Sequence, residues 1–195
     1  SIFESEAGCS YVFLPAFVVI PILIKLTSRG PVFYRHRRLG RNGREFRIWK
    51  FRSMYIDADR RLSEILAVNP AAAKEWESSF KLTHDPRVTP FGRLLRKTSL
   101  DELPQLFNVI AGDMALIGPR PIVDDEVRQY GNAYRVFSSV RPGITGLWQV
   151  SGRSDTGYDR RVALDTYYVL NWSLWLDLWV LLRTAFAVLF MRGAR

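Results

Sequence analysis

An apolar run near the start of the chain constrains the fold most, because it is free of charge but contains two prolines. It covers residues 11–24 with the sequence YVFLPAFVVIPILI. As a helix, these residues would extend about 21 Å at ~1.5 Å per residue, which is less than the roughly 30 Å of a bilayer core. Pro15 and Pro21 lack a backbone donor and are expected to kink or break a helix. We expect a segment that dips into one membrane leaflet and returns, with a buried core helix as the alternative.

A second apolar segment lies at the other end of the chain, in residues 171–190, NWSLWLDLWVLLRTAFAVLF. The pattern predicts a helix that starts near Ser173, in which Asp177 and Arg183 are the only charged residues. Its three tryptophans are spaced to share a face, and indole rings suit the headgroup boundary of a membrane because they are both apolar and hydrogen-bonding. An ordinary core helix is the alternative, but the first apolar run favours a helix at the membrane interface.

The charge balance points to a partner that is rich in phosphate. Lys and Arg outnumber Asp and Glu by 28 to 19, which gives a formal net charge of +9. Nucleic acid, a nucleotide or an anionic lipid would all fit. Residues 35–52 contain eight basic residues and the single acid Glu45, and they directly follow the apolar run. That order suits an anionic cytoplasmic leaflet, although a solvated basic face is the simpler interpretation.

Few residues are available for soft-metal or thiol chemistry. Cys9 is the only cysteine, and His36 and His84 are the only histidines. This excludes a zinc site, a disulfide framework and a Cys/His nucleophile pair. Any catalysis must therefore use carboxylates and oxygen ligands.

The length of 195 residues and the hydrophobic content of 48% predict one globular unit with appendages. We expect a membrane-inserted segment in residues 1–30, a catalytic domain in 31–170 and an interfacial helix in 171–195. GRNG at residues 40–43 predicts a hairpin turn, since Gly and Asn tolerate positive φ. The segments LIGPRPIV and VRPGITGLWQVSGR are dense in Gly and Pro and predict loops whose backbone can approach a ligand.

Between these features, the chain predicts four helices. Residues 57–82 read as two charged amphipathic helices separated at Asn69-Pro70. A short basic helix is expected around Gly92 to Lys97, followed by a turn and a further helix that ends near Gly112.

Two adjacent acids, Asp101 and Glu102, lie in the stretch KTSLDELPQLFN. Ser99 to Glu102 fits a capping box, which would be purely structural. Pro104 disfavours that interpretation, because a proline so far into a helix removes a donor, and the helix could instead start at Pro104 with both acids in the preceding turn. In either arrangement a carboxylate near a helix start, with Arg96 and Lys97 close in sequence, should stay ionised, as a nucleophile or a Mg²⁺ ligand requires.

Four blocks taken together resemble a known family: KFRSM at 50–54, TSLDELPQLFNV at 98–109, GDMALIGPRP at 112–121 and RPGITGLWQVSGR at 141–153. They are similar to the signature blocks of the bacterial sugar transferases, the monotopic polyprenyl-phosphate phosphoglycosyl transferases. The resemblance covers about residues 12–190 and is greatest to the undecaprenyl-phosphate galactose-1-phosphate transferases of O-antigen synthesis. It implies an α+β, mainly helical catalytic domain with a re-entrant N-terminal membrane helix and interfacial amphipathic helices.

The resemblance also implies an activity, partners and a location. Such enzymes transfer a sugar 1-phosphate, with galactose or glucose expected here, from a UDP-sugar to undecaprenyl phosphate and release UMP. They use Mg²⁺ at the cytoplasmic face of the bacterial inner membrane and start the synthesis of O-antigen, capsule or exopolysaccharide. Membrane lipid is therefore an expected partner and nucleic acid is not, while a homo-oligomer stays open.

The roles of individual residues follow from the same resemblance. Asp101 would be the nucleophile and a metal ligand, and Glu102 its partner in the dyad. The residues expected to face substrate are Lys50, Arg52, Arg96, Arg120 and Asp165. Lys50 and Arg120 could instead be surface ion-pair partners, and Asp165 could merely help to solvate a helix face.

The start of the chain departs from the family pattern. The family usually opens with a longer apolar helix broken at Ser-Pro, whereas the break here would be at Leu14-Pro15. We therefore expect either that the first half of the membrane hairpin is absent or that Ser1 to Ser10 is a remnant of another segment, as in a fragment of a larger member. Two other functions stay open, a nucleic-acid-binding protein with basic residues on phosphates and tryptophans on bases, and a membrane-bound scaffold without catalysis.

Overall fold

A computed structural model describes residues 2–79, 82–151 and 157–189. The described chain is mostly helical with small sheets, so the predicted α+β, mainly helical class is confirmed. The helices are α1 (Ile2–Thr27), α2 (Ala58–Val68), α3 (Pro70–Ser79), α4 (Pro90–Thr98), α5 (Gln105–Ile110), α6 (Val127–Tyr130), α7 (Tyr134–Phe137), α8 (Leu147–Val150), α9 (Tyr158–Leu170) and α10 (Leu174–Leu189). The strands are β1 (Phe33–Leu39), β2 (Glu45–Phe51), β3 (Ala115–Ile117) and β4 (Gly143–Thr145).

The described residues form two compact units. The first takes in the described residues of 2–33 and 51–97, and the second those of 34–50 and 98–189. Helices α1 to α4 belong to the first unit, and the hairpin, the short parallel sheet and helices α5 to α10 belong to the second.

In the first unit, α1 runs without interruption through Pro15 and Pro21. Of the expected kink or break, the break is therefore wrong: each proline removes one donor, but the remaining hydrogen bonds of the turn keep the helix continuous. Its second half is apolar on both faces, since Ile20 and Ile24 are buried while Val18, Val19, Ile22 and Leu26 are exposed. Within the described part of the chain, no helix combines the length and the apolar character needed to cross a membrane.

Helices α2 and α3 are separated at Asn69-Pro70, as predicted. The Asn69 side chain caps α3, because its Oδ1 accepts hydrogen bonds from the backbone of Ala71 and Ala72 at 3.1 Å each. The predicted short basic helix is also confirmed as α4, which begins at Pro90.

The second unit begins with the predicted hairpin of β1 and β2. Asn42 and Gly43 in its connection have positive φ values of 57° and 71°, as the GRNG pattern predicts. Beyond the hairpin, Leu39 forms an isolated antiparallel bridge with Ile122, and its backbone N donates to the Ile122 carbonyl at 2.9 Å. The end of β1 therefore lies beside the segment that follows β3.

The Gly- and Pro-rich segments form more structure than predicted. Strands β3 and β4 pair in parallel, with Ala115 opposite Gly143 and Ile117 opposite Thr145. A Cβ on Gly143 would lie 2.1 Å from the backbone N of Gly118. The prediction of loops is thus wrong for these residues, because glycine here lets two backbones approach each other. Residues 152–153 of the second segment lie outside the described residues.

The C-terminal helix α10 begins at Leu174, one residue from the predicted start. Val180 is fully buried together with Leu147 and Tyr168. Asp177 joins α10 to α9, because its Oδ1 accepts from the Tyr168 hydroxyl at 2.7 Å. Most of the remaining surface of α10 is apolar and exposed, and Trp175 has 78% of its surface accessible.

Candidate active site

The two adjacent acids lie in a single 3₁₀ turn, Leu100–Glu102, between α4 and α5. Ser99 before the turn has a left-handed backbone with φ of 58°, and its side chain makes no capping hydrogen bond. The interpretation of Ser99 to Glu102 as a capping box is therefore wrong. The alternative, a helix that starts at Pro104 after both acids, is confirmed, since α5 starts at Gln105 directly after Pro104.

Asp101 is buried, with 8% of its surface accessible. Glu102 is half-buried, and its Oε1 accepts from Lys50 Nζ at 2.6 Å. Lys50 comes from β2, so two blocks that are distant in sequence meet here. The structure brings Asp101, Glu102 and Lys50 to one place in the second unit, although Lys50 faces a carboxylate in this state.

Asn108 on α5 fixes the position of β2 relative to the turn. Its Oδ1 accepts from the backbone N of Trp49 at 3.0 Å, and its Nδ2 donates to the Arg47 carbonyl at 2.9 Å. The amide thus replaces a neighbouring strand and satisfies backbone groups on the buried side of β2. Sequence reasoning missed Asn108, and its only signal was its position in the TSLDELPQLFNV block.

Asp165 on α9 is almost completely buried, with 1% of its surface accessible. Its Oδ2 accepts from the Tyr130 hydroxyl at 2.7 Å and lies 3.9 Å from Arg161 Nε. Burial raises the pKa of Asp165 to about 6, although Tyr130, Arg161 and Arg120 oppose the shift. The expectation that Asp165 only solvates a helix face is therefore wrong.

Arg161 is also buried and was not predicted. Its Nη1 donates to Glu126 Oε1 at 2.8 Å, and Glu126 Oε2 accepts from the backbone N of Val123 at 2.9 Å. Within the residues that the structure describes, Arg161 Nε, Arg161 Nη2 and Asp165 Oδ1 are buried without a hydrogen-bond partner. Buried polar atoms are normally satisfied, so these atoms mark a polar cluster with unused hydrogen-bonding capacity.

Arg120 belongs to the same region as Asp165. Its Cζ lies 5.8 Å from the centre of the Trp148 ring, and Arg161 Cζ lies 4.9 Å from that centre. Arg38 at the end of β1 interacts electrostatically with Arg120, Glu126 and Arg161. Burial lowers the pKa of Arg38, and the charge of Arg120 lowers it further.

Two predicted substrate-binding residues belong to the first unit. Arg52 is buried, and its guanidinium donates to the Arg29 carbonyl at 2.5 Å and to the Ser28 carbonyl at 2.8 Å. Gly30 leaves room for this contact, since a Cβ there would lie 2.0 Å from Arg52 Nη1. Arg52 thus binds two backbone carbonyls just beyond the end of α1, and its contact with substrate stays a prediction. Arg96 donates from Nε to Ser53 Oγ at 2.9 Å.

The predicted Mg²⁺ needs oxygen ligands, which carboxylate side chains can supply. In the described ranges, no three His, Cys, Asp or Glu side chains form a group that could hold a metal ion. Mg²⁺ is commonly bound by one or two carboxylates together with substrate phosphates, so a complete protein cage is not required. The hard oxygen ligands of Asp101 and Glu102 fit such a shared site.

Comparison with known proteins identifies the family. The sequence pattern described as "Bacterial sugar transferase" matches residues 5–191. The chain belongs to the bacterial sugar transferase family. The resemblance inferred from the four sequence blocks is therefore confirmed, as is the predicted enzyme class of phosphoglycosyl transferases.

Individual relatives in this family are similar over nearly the whole chain. The exopolysaccharide production protein ExoY of Sinorhizobium fredii (strain NBRC 101917 / NGR234) is 51% identical over 92% of this chain and 80% of the relative. The undecaprenyl-phosphate galactose phosphotransferase of Salmonella typhimurium is 50% identical over 95% of this chain and 40% of the relative. The UDP-glucose:undecaprenyl-phosphate glucose-1-phosphate transferase of Klebsiella pneumoniae is 39% identical over 88% of this chain and 36% of the relative. The chain thus spans most of the first protein and less than half of the other two.

Proposed function

We propose that this sugar transferase moves a sugar 1-phosphate from a UDP-sugar to undecaprenyl phosphate and releases UMP. Galactose and glucose are the expected sugars, since relatives carry the names of transferases for both. The observation that supports the proposal most is the turn that holds buried Asp101 beside the Lys50–Glu102 ion pair, in a chain of this family.

The first chemical step forms a covalent aspartyl intermediate. A carboxylate oxygen of Asp101 attacks the β-phosphorus of the UDP-sugar, and the bond from that phosphorus to the bridging oxygen breaks. UMP leaves with the bridging oxygen, and the sugar phosphate remains on Asp101. Asp101, with Glu102 beside it, would share Mg²⁺ with the donor phosphates, and the ion would neutralise charge on their oxygens.

The second step returns the enzyme to its starting form. An oxygen of undecaprenyl phosphate attacks the phosphorus of the intermediate, and the bond to Asp101 breaks. The product is a lipid-linked diphosphosugar, and the Asp101 carboxylate is regenerated. Arg120 would stabilise charge on phosphate oxygens, since a guanidinium can donate two parallel hydrogen bonds to them.

We further propose that the protein lies on the cytoplasmic face of the bacterial inner membrane. Exposed Val18, Val19, Ile22 and Leu26 on α1 and the exposed aromatic residues of α10 support this location, because contiguous apolar surface of this kind is rare on soluble monomers. Cysteines introduced at Tyr11 and at exposed Lys25 should both react with a membrane-impermeant reagent only from the cytoplasmic side. Reaction of the two positions from opposite sides would contradict the re-entrant arrangement.

The catalytic proposal is tested by trapping the intermediate. Protein incubated with Mg²⁺ and a radiolabelled UDP-sugar, without lipid acceptor, should gain one sugar phosphate on Asp101, and labelled UMP should exchange into UDP-sugar. A panel of UDP-sugars with undecaprenyl phosphate then identifies the donor. If transfer proceeds while neither adduct nor exchange forms, direct attack by the lipid phosphate replaces the two-step reaction. If no UDP-sugar releases UMP, the chain is a scaffold.

A further inference from the structure

Three arginines from separate segments of the second unit lie in one region, since Arg120 and Arg161 lie near the Trp148 ring and Arg38 interacts electrostatically with both. Arg161 and Arg120 have their Cζ atoms 4.9 and 5.8 Å from the centre of its ring. Arg38 is brought to the same region by the hydrogen bond between Leu39 and Ile122, which aligns the end of β1 with the segment that contains Arg120. The positive charge of Arg38 interacts electrostatically with the charges of Arg120 and Arg161.

Only one of these arginines forms a direct ion pair among the described residues, although Glu126 also attracts Arg38 and Asp165 attracts Arg120 over a longer distance. Arg161 forms an ion pair with Glu126 at 2.8 Å, and both oxygens of Glu126 are already used as acceptors. The guanidiniums of Arg38 and Arg120 form no hydrogen bond or ion pair with any residue in the described ranges. Both side chains are half-buried, so neither is fully solvated.

Two half-buried guanidiniums that repel each other are unfavourable unless an anion lies between them. A phosphoryl group supplies that charge, and its oxygens match the planar fork of each guanidinium. Arg161 is already paired with Glu126 and lies 3.9 Å from Asp165, so it would lie behind such a site and would not contact the ligand directly.

We propose that Arg38 joins Arg120 in a two-guanidinium site for a phosphoryl group of a substrate. The positive charge of the cluster and the planar guanidiniums favour a phosphoryl group as the ligand. That this group belongs to the UDP-sugar or to the lipid acceptor rests on the proposed function. The sequence showed Arg38 only as one member of the basic stretch, because its unpaired state depends on contacts from three distant segments.

Binding of inorganic pyrophosphate tests the site without any assay of transfer. The variant Arg38→Met keeps the apolar stem and removes the charge, and Arg37→Met is its matched control, since Arg37 pairs with Glu45 and Asp124. Calorimetry should show pyrophosphate binding weakened about tenfold or more in Arg38→Met and little changed in Arg37→Met. Equal affinities in Arg38→Met and the unaltered protein would overturn the proposal.

The melting temperature without ligand separates binding from structure. Removing one of two mutually repelling charges should leave the melting temperature of Arg38→Met unchanged or higher, while the rise produced by pyrophosphate disappears. A clear fall in the ligand-free melting temperature would assign Arg38 a structural role and overturn the proposal.

Steady-state kinetics with each substrate varied in turn identify which substrate supplies the phosphate. A raised KM for UDP-sugar in Arg38→Met with unchanged affinity for undecaprenyl phosphate assigns the site to the donor, and the reverse assigns it to the acceptor. If Arg38→Met loses pyrophosphate binding while the unaltered protein transfers no sugar phosphate, the anion site stands and the proposed function fails. If transfer is normal in Arg38→Met at subsaturating concentrations of both substrates, the site proposal fails and the function stands.

Discussion

The second unit contains two carboxylate centres that differ in how their charge is compensated. Glu102, next to Asp101, is half-buried and contacts the Lys50 ammonium at 2.6 Å. Asp165 is buried, receives one hydrogen bond from a phenol, and has a pKa raised to about 6 because burial outweighs its charged neighbours. One centre is built around a direct ion pair, whereas the other makes it costly for its acid to carry a charge.

The difference suggests that the two carboxylate centres have different roles in the reaction. A nucleophile must react as an anion, which suits an acid in a turn that also holds an ion pair. A buried acid that accepts a hydrogen bond from Tyr130 and lies 3.9 Å from Arg161 suits the orientation of these neighbouring groups instead. This division can be tested by changing one centre at a time.

The largest effect is expected from Asp101→Asn. The variant loses the attacking oxygen and a metal ligand, so transfer should fall by at least about 10³-fold, or roughly 4 kcal/mol of transition-state stabilisation. The free energy of unfolding should change by less than about 1 kcal/mol, because Asp101 forms no helix cap. Turnover and urea denaturation measure the two effects. Asp125→Asn, at an exposed position, is the matched control, and similar losses in both variants would contradict a special role for Asp101.

Arg120→Ala is expected to have the next largest effect. Loss of a bidentate donor to phosphate should reduce kcat/KM by roughly 2 to 4 kcal/mol of transition-state stabilisation, if the guanidinium contributes as much as an oxyanion-hole donor does. Arg120→Lys should restore little, since an ammonium lacks the planar fork. Steady-state kinetics with UDP-sugar measure the loss, with exposed Arg128→Ala as control. Near-normal kinetics in a folded Arg120→Ala protein would make Arg120 structural.

Asp165→Asn should change how stability depends on pH. A carboxyl whose pKa is raised from 3.8 to about 6 by folding stabilises the protein in its protonated form, and that contribution is lost as pH rises from about 4 to 6. The variant lacks this loss, so its free energy of unfolding relative to the unaltered protein should increase by up to about 3 kcal/mol between pH 4 and 7. Urea denaturation across this range measures the difference. A constant difference would mean that folding does not change the pKa of Asp165.

The smallest effect is expected for the Lys50–Glu102 pair. Because both side chains are partly solvated, a double-mutant cycle with Lys50→Met and Glu102→Gln should give a coupling energy of only about 1 kcal/mol in unfolding. Coupling in kcat/KM should be larger if substrate draws Lys50 onto phosphate. No coupling in kcat/KM would indicate an ion pair that persists unchanged during catalysis.

Local chemistry made the helices and the hairpin predictable. Asn69-Pro70 separates α2 from α3, and the GRNG connection adopts the expected positive φ values, because both depend on residues adjacent in sequence. The break expected at Pro15 and Pro21 is wrong, since the strength of a helix breaker depends on what surrounds it. The β3–β4 pair was missed because three-residue strands give no periodicity.

The candidate site was predictable in its residue types but not in its connections. The family blocks pointed to Asp101, Glu102, Lys50, Arg120 and Asp165, and the structure places these residues in the second unit. Arg52, from the same block as Lys50, lies in the first unit and hydrogen-bonds two carbonyls beyond the end of α1. Asn108, Arg161 and Arg38 were not singled out, since their partners lie far away in the sequence.

The parallel pairing of β3 and β4 has a consequence for the order of folding. The two strands are separated in sequence by α6 and α7, so they cannot pair until the whole intervening stretch has been synthesised and its loop closed. Closing such a loop costs entropy before any contact is gained, which makes non-local parallel pairing slow. Arg120 lies just after β3, so we expect it to reach its final position later than the hairpin, which closes locally. A ribosome-bound chain that ends before Gly143 should therefore form the hairpin and still lack a formed site for phosphate.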